Sequence, residues 1–274
     1  MFKDILDNVA VKTPLVHSIT NYVTVNDCAN ILLASGAAPI MADDENEVEE
    51  ITSLCHALVI NIGTLNSRTI NSMIIAGKKA SLLAHPVVLD PVGAGASKLR
   101  TDTAFQLLNE IKFSVIRGNI SEIKTIAQGN GNTKGVEADV RDAITEDNLD
   151  EAIAFIKKLS VRTGAIIAVT GAIDIVADSR KAYIIRNGHA LMSKITGTGC
   201  MLTEVIAAYC AANPDSLLVA TAAAVCAMGL CGELAHSKLT EVDGGTSTYR
   251  MLLIDCMSKL NSKMLSEGMK IESR

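Results

Sequence analysis

Aromatic side chains are scarce in this chain of 274 residues: four Tyr, four Phe and no Trp make up 3% of it. A stacking platform for single-stranded nucleic acid depends on such rings, so that function is a poor fit. An excess of positive charge is missing as well. Against 25 basic residues stand 30 acidic ones, a net charge of −5, which leaves no whole-chain footprint for DNA or RNA. The seven cysteines, at positions 28, 55, 200, 210, 226, 231 and 256, contain no Cys-x-x-Cys pair and are odd in number. Both a zinc ribbon and a disulfide framework are therefore disfavoured. Most of these thiols read as small core residues in a reducing compartment.

A membrane span is not expected either. The most apolar stretch, Leu217 to Gly232, carries Thr221 and meets Glu233 before reaching about 20 strongly apolar residues. It predicts a buried helix. The first residues include Asp4 and Asp7 and lack the basic and apolar regions of a signal peptide, so a cytoplasmic location is the expectation. The common catalytic signatures fail in turn. No Gly-x-x-x-x-Gly-Lys-Ser/Thr occurs, Gly93-Ala94-Gly95 and Gly197-Thr198-Gly199 both lack the third glycine of a dinucleotide fingerprint, and neither His-Glu-x-x-His nor Gly-x-Ser-x-Gly is present.

What the chain does have is aliphatic content. Apolar residues make up 49% and charged ones 20%, enough to offset chain entropy and exclude a disordered protein. The length alone allows two domains or one large one at about 150 residues each. No linker or repeat divides it, and one domain spanning 1–274 is expected. Short Val- and Ile-rich runs at Ala57–Ile62, Val87–Leu89, Ser114–Ile116 and Ala165–Val169 are apolar on both faces, as strands of a covered parallel sheet would be. Helical patterns lie between them. Glu45–Leu54 follows an Asp44-x-x-Glu47 capping signal, Thr69–Ala84 and Thr101–Ile111 show three-to-four spacing, and Glu146–Leu159 places Leu149, Ile153, Ile156 and Leu159 on one face. This alternation predicts an α/β fold with a mostly parallel sheet. After Thr170 the runs Ile173–Ala177, Ala182–Arg186 and Ala190–Met192, joined by Asp178-Ser179 and Asn187-Gly188, predict an antiparallel edge. Three helices follow, at Thr198–Ala212, Ser216–His236 and Gly245–Lys263, while the polar, glycine-rich Gly129–Gly135 reads as a mobile surface loop.

Ligands of open α/β sheets sit outside the carboxyl ends of the strands. Three predicted ends carry suitable punctuation: Asp90-Pro91-Val92-Gly93-Ala94-Gly95, Arg117-Gly118-Asn119-Ile120-Ser121-Glu122 and Thr170-Gly171. A fourth loop, Thr196-Gly197-Thr198-Gly199-Cys200, opens an apolar helix, and glycines there let backbone N–H groups point toward an anion. Any one of these alone would equally serve as an ordinary turn.

In combination the blocks are specific. The chain carries PLVHSITNYV at 14–23, GAAPIMA at 36–42, LVINIGTL at 58–65, VVLDPVGAGAS at 87–97, RGNISE at 117–122, AVTGAIDIVAD at 168–178 and MSKITGTGCML at 192–202. In this order they resemble the hydroxyethylthiazole kinase family of the ribokinase-like superfamily. The resemblance implies a ribokinase-like fold, a mostly parallel central sheet flanked by helices with an antiparallel edge. It implies transfer of the ATP γ-phosphoryl group to the primary alcohol of 4-methyl-5-(2-hydroxyethyl)thiazole in thiamine salvage, with Mg²⁺ as cofactor. Phosphoryl transfer asks mainly for positioning and charge stabilisation.

Residue roles follow from the resemblance in the same way. Gly197, Thr198, Gly199 and Cys200 correspond to an anion hole, and Cys200 stands where many ribokinase-like kinases carry an Asp base. A helix N-terminus lowers a thiol's pKa, which would give Cys200 partial thiolate character; a loose transition state asks little of a base, so positioning is its expected main role. Asn119-x-x-Glu122 matches the superfamily motif associated with Mg²⁺ and phosphate, with Asp90 as the second carboxylate. Arg117, Thr170 and Asn119 fall where the family contacts ATP. For the alcohol the pattern points to Met41, Asn21 and Gly197. His17 is assigned no catalytic role, as a packed and satisfied histidine. Ser18 and Asp27-Cys28 depart from the family pattern and bear on the shape of the thiazole pocket. The family's trimers, with active sites between subunits, imply that Asn21 and Met41 face the Cys200 region of another chain. Rival readings are a kinase for a related alcohol such as hydroxymethylpyrimidine, a nucleotide-sensing module without turnover, and a nicotinamide-dependent oxidoreductase.

Overall fold

Strands that are apolar on both faces leave no face for water, so they assemble where helices cover both sides. The computed structural model, which describes residues 2–128 and 143–274, shows this arrangement. The expected loop at 129–135 lies outside the described residues. Six strands run parallel: β1 (Leu15–Ile19), β2 (Ala38–Met41), β3 (Ala57–Asn61), β4 (Val87–Asp90), β5 (Val115–Asn119) and β6 (Ile166–Thr170). Three more, β7 (Asp174–Ala177), β8 (Ala182–Ile185) and β9 (Ile271–Ser273), extend the sheet antiparallel. The order across the sheet is β2-β1-β3-β4-β5-β6-β7-β8-β9.

The described helices are α1 (Phe2–Lys12), α2 (Val25–Ala34), α3 (Val48–Leu54), α4 (Ser67–Leu82), α5 (Lys98–Glu110), α6 (Ile120–Gln128), α7 (Leu149–Thr163), α8 (Thr198–Ala212), α9 (Leu217–Leu239), α10 (Thr246–Lys259) and α11 (Ser262–Gly268). Successive strand residues point to opposite faces. Leu58 and Ile60 of β3 therefore join the core beneath α3 to α7, whereas Val59 joins the core shared with α1, α2 and α8 to α11.

The expected parallel sheet with an antiparallel edge is present, and several local expectations are corrected. The third edge strand does not form. Residues Ala190–Lys194 make a 3₁₀ turn instead, because the His189 ring accepts the Leu191 N–H at 3.2 Å and curls the chain. The edge place beside β8 is taken by β9, from the end of the chain. No Asp44–Glu47 capping box is made. The Asp44 carboxylate turns to the Asn46 amide at 3.0 Å, and α3 starts only at Val48. The expected helix Gly245–Lys263 divides at Leu260, whose backbone is extended, and restarts with Asn261 accepting the Met264 N–H at 3.0 Å. All seven cysteines are free, six of them buried and Cys200 half-buried.

Helices α8 and α9 are apolar around most of their circumference, as helices sunk in a core are. By length and composition the α9 segment would cross a membrane, but its most apolar stretch is 72% buried inside the protein. A carboxyl group is trapped in this core. Glu204, on α8, is fully buried; Ser18 Oγ donates to its Oε2 at 2.7 Å, while Oε1 has no partner. Burial pushes its carboxyl up from 4.5 to about 8, against the Ser18 hydrogen bond that favours the charged form and with Asp90 adding repulsion. The unfolded chain releases this proton near 4.5, so across the window up to about 8 the native state binds more protons and loses stability as pH rises. Glu204→Gln is expected to stabilise the protein by an amount that grows from pH 6 to pH 8 in urea unfolding. A difference that stays flat with pH would show that Glu204 is already charged.

Candidate active site

The parallel register delivers the polar ends of the strands to one edge. Ser18 lies beside Met41, Asn61 beside Asp90, and Asn119 beside Thr170. Helix α8 starts above this edge, and its start is built by glycine. Gly197, the N-cap, has φ +90°, a left-handed conformation, and a Cβ there would lie 2.7 Å from Thr24 Cγ2. At Gly199 a Cβ would come within 2.4 Å of Arg117 Nη1, so glycine lets the guanidinium lie against the helix start. Gly197 supplies no side-chain cap, and the first-turn amides of α8 have no acceptor one turn back. Their partial positive charge faces outward.

Two cavities flank this helix start. One, of about 550 Å³, is lined by Thr170, Asp174, His189 and Thr198 among others. The second, of about 370 Å³, is lined by Asn21, Asp90, Arg100, Glu122, Gly197 and Cys200 among others. Arg117 and Gly199 line both. A ligand crossing from one cavity to the other thus passes a guanidinium and uncapped amides. Such a combination suits a phosphate-bearing ligand.

The charges here are held under tension. Asp90 is fully buried. Its Oδ2 accepts from Asn61 Nδ2 and Thr203 Oγ1, each at 2.9 Å, while Oδ1 lacks a hydrogen bond and sits 3.5 Å from Arg117 Nη1. Burial raises the Asp90 carboxyl to about 6, Glu122 adds repulsion and Arg117 opposes the rise. Arg117 Nη2 donates to Thr170 Oγ1 at 2.6 Å. Asn119 and Glu122 cap α6 reciprocally: Asn119 Oδ1 accepts the Glu122 N–H at 2.9 Å, and Glu122 Oε2 accepts the Asn119 N–H at 2.8 Å. The other Glu122 oxygen accepts the Gly93 N–H at 2.9 Å, tying the loop after β4 to α6.

No cluster of three or more metal-binding side chains exists among the described residues. Mg²⁺ needs fewer, because it keeps several waters and takes hard oxygen ligands. Asp90 Oδ1, which no hydrogen bond occupies, shares a cavity with an anchored Glu122 and fits that requirement.

Cys200 lies within reach of two amides. Asn21 Nδ2 and Asn61 Nδ2 donate to its Sγ at 3.2 and 3.3 Å. Two expectations change here. Asn21 faces the Cys200 of its own chain, because the turn after β1 folds back over the start of α8. The thiol pKa moves up, since burial and the nearby Asp90 outweigh the Thr24 and Asn21 side chains and Arg117. Met41, half-buried at the end of the edge strand β2, is not among the residues lining either cavity. His17 is packed as expected, with Nδ1 on Thr52 Oγ1 and Nε2 on the Ala42 carbonyl, both at 2.9 Å. Asp27 meets Arg250 at 3.4 Å and Cys28 is buried.

Several residues in this arrangement have no role assigned from the sequence. Asn61, Thr203 and Arg100 are among them, as is Asp174, whose carboxyl burial raises to about 7 although it accepts the Gly171 N–H at 2.8 Å. Asn61 did leave a signal, as the one amide in the apolar run 57–62. Thr203 and Arg100 left none, because each sits in an unremarkable helical position.

Comparison with known proteins identifies the family. The model of the hydroxyethylthiazole kinase family matches residues 6–263. The hydroxyethylthiazole kinase of Clostridium acetobutylicum is 62% identical over 273 residues, covering 100% of both chains. That of Desulfovibrio desulfuricans is 50% identical, covering 97% of this chain and 95% of its own. A solved structure of a hydroxyethylthiazole kinase protein from Pyrococcus horikoshii superposes with a TM-score of 0.86 at 34% identity, covering 100% of this chain and 98% of its own. A ribokinase-like superfamily protein from Enterococcus faecalis, 13% identical with a TM-score of 0.61 over 95% of each chain, shares the fold alone. The chain belongs to the hydroxyethylthiazole kinase family.

Proposed function

We propose that this chain transfers the γ-phosphoryl group of ATP to the primary hydroxyl of 4-methyl-5-(2-hydroxyethyl)thiazole, as a cytoplasmic step of thiamine salvage. The observation that carries the reading is the pair of cavities meeting at Arg117 and Gly199, beside the uncapped start of α8. The larger cavity takes ATP, with Arg117 and Thr170 toward its phosphates and Asn119 reaching them from the smaller cavity. The smaller takes the alcohol. The bond from the alcohol oxygen to the γ-phosphorus forms as the bond to the bridging oxygen breaks. ADP leaves with that electron pair, and the hydroxyl proton is released.

The charge spread over the transferring group is met by the amides of Gly197, Thr198, Gly199 and Cys200 acting as an anion hole. Asp90 and Glu122 would hold Mg²⁺, whose chemistry is to neutralise the phosphate oxygens. Asn21 and Gly197 line the alcohol's cavity, and Asn21 orients Cys200 as well. With its pKa raised, Cys200 serves as a neutral positioning group for the hydroxyl. The whole chain, 1–274, acts as one kinase domain.

Met41 stands apart from its own chain's cavities, which supports a homotrimer in which this residue completes the thiazole pocket of a neighbouring subunit. Its soft thioether suits a heteroaromatic ring.

Purified protein with ATP and Mg²⁺, offered a panel of small alcohols, is expected to form ADP with the hydroxyethylthiazole in preference to hydroxymethylpyrimidine. Absence of ADP with the thiazole would sink the reading. Cys200→Ala, with folding intact, should lose less than about 10²-fold in kcat; a larger loss would make the thiol an obligatory base. Sedimentation and activity measured together should show a trimer whose turnover falls on dilution to monomer. Full activity in a monomer at nanomolar concentration would contradict the shared site.

A further inference from the structure

Asn61 ends the third strand inside the protein, 1% exposed, with every hydrogen-bonding position of its amide engaged. Its Nδ2 gives one proton to Asp90 Oδ2 at 2.9 Å and the other to Cys200 Sγ at 3.3 Å. Its Oδ1 accepts from the Gly63 N–H at 2.9 Å and from Asn21 Nδ2 at 3.1 Å. The orientation is forced. The Gly63 N–H is only a donor and the Asp90 carboxylate only an acceptor, so a flipped amide would face like against like at both ends. Asn21 is pinned similarly, its Oδ1 accepting the Thr24 N–H at 3.2 Å and Thr24 Oγ1 at 3.1 Å.

An asparagine with two N–H donors and two acceptor lone pairs has nothing left for a substrate. We propose that Asn61 is a positioning residue for the phosphoryl transfer, one amide that fixes the sulfur of Cys200 and the carboxylate of Asp90 relative to each other. By occupying Asp90 Oδ2 together with Thr203, it leaves Oδ1, which the Arg117 guanidinium faces at 3.5 Å, as the oxygen without a hydrogen bond and so the one to meet a cation. By donating to Sγ beside Asn21 and Thr24, it fixes the sulfur at the wall of the alcohol's cavity, which Cys200 lines. The metal side and the acceptor side are thereby set by one rigid group at a strand end, a better anchor than a loop. Mutual geometry of this kind is worth about 10²-fold in rate for a displacement of about 1 Å.

The inference rests on the roles proposed for Cys200 and Asp90, and its test separates the two. Asn61→Asp keeps the side-chain size and replaces both donors by an acceptor. The expected result is a fall in kcat of about 10²-fold with the KM for ATP unchanged. A second readout needs neither metal nor turnover: the pH dependence of Cys200 alkylation by iodoacetamide, followed by peptide mass mapping on metal-free protein. The midpoint of that profile should rise by about one to three units in Asn61→Asp, where a like charge faces the sulfur, and less in Asn61→Ala. The midpoint is read separately from the plateau rate, so easier access of the reagent does not mimic the effect. Asp90, Arg117 and Cys28, the other charged or titratable groups that act on the sulfur, are the same in every variant. Should Asn61→Asp fail to fold, Asn61→Ser and Asn61→Ala carry the test. An unchanged midpoint in a folded variant, or a kcat within about threefold of wild type, overturns the proposal. Wild-type protein that makes no ADP sinks the functional reading instead.

Discussion

A buried carboxylate is costly unless donors surround it. Asp90, at the end of a central strand and without exposure, imposes that condition on everything near it. Asn61 from the neighbouring strand and Thr203 from α8 meet one oxygen, and the Arg117 guanidinium faces the other. Three elements distant in sequence are thus held in one register by a single charge. The glycines follow from the same demand: Arg117 reaches its place because Gly199 has no side chain, and Gly197 lets the chain turn tightly past Thr24.

The surrounding sheet explains why so many functional groups share a small space. In β3, β4, β5 and β6 the polar residues come where the apolar run ends, and parallel pairing aligns those ends. Ser18, Asn61, Asp90, Asn119 and Thr170 are therefore neighbours by topology. The aliphatic bulk of the chain fills the two helix layers that make such a sheet possible. Scarcity of aromatic rings is consistent with a site built from amides, carboxylates and a guanidinium.

Much of this is legible in the sequence itself. Val- and Ile-rich runs located β3, β4, β5 and β6 to within a few residues, because a strand buried on both faces has few other ways to be written. The start and end of α8 match the expected Thr198–Ala212, since Gly197 and Asn213 bracket a mostly apolar run. Tertiary competition decided the rest. The strand expected at Ala190–Met192 yields to a capped 3₁₀ turn and to β9, whose three residues carry no pattern of their own. Asn21 was placed across a subunit boundary, whereas the fold brings it to its own chain's thiol over 179 positions of sequence. A helix N-terminus pointed to a lowered thiol pKa, and burial overrides it. Asn61 escaped notice because a lone amide inside an apolar strand has no motif; only the strand register shows what it touches.

The central claim is that the two cavities hold donor and acceptor on either side of the α8 start. A crystal structure of the protein with a non-hydrolysable ATP analogue, Mg²⁺ and the hydroxyethylthiazole tests it most directly. The account predicts the γ-phosphate on the amides of Gly197 to Cys200 beside Arg117, Mg²⁺ at Asp90 Oδ1 and Glu122, and the alcohol oxygen facing Cys200. A nucleotide seated away from Arg117 and Gly199, or a thiazole bound outside the smaller cavity, would contradict it.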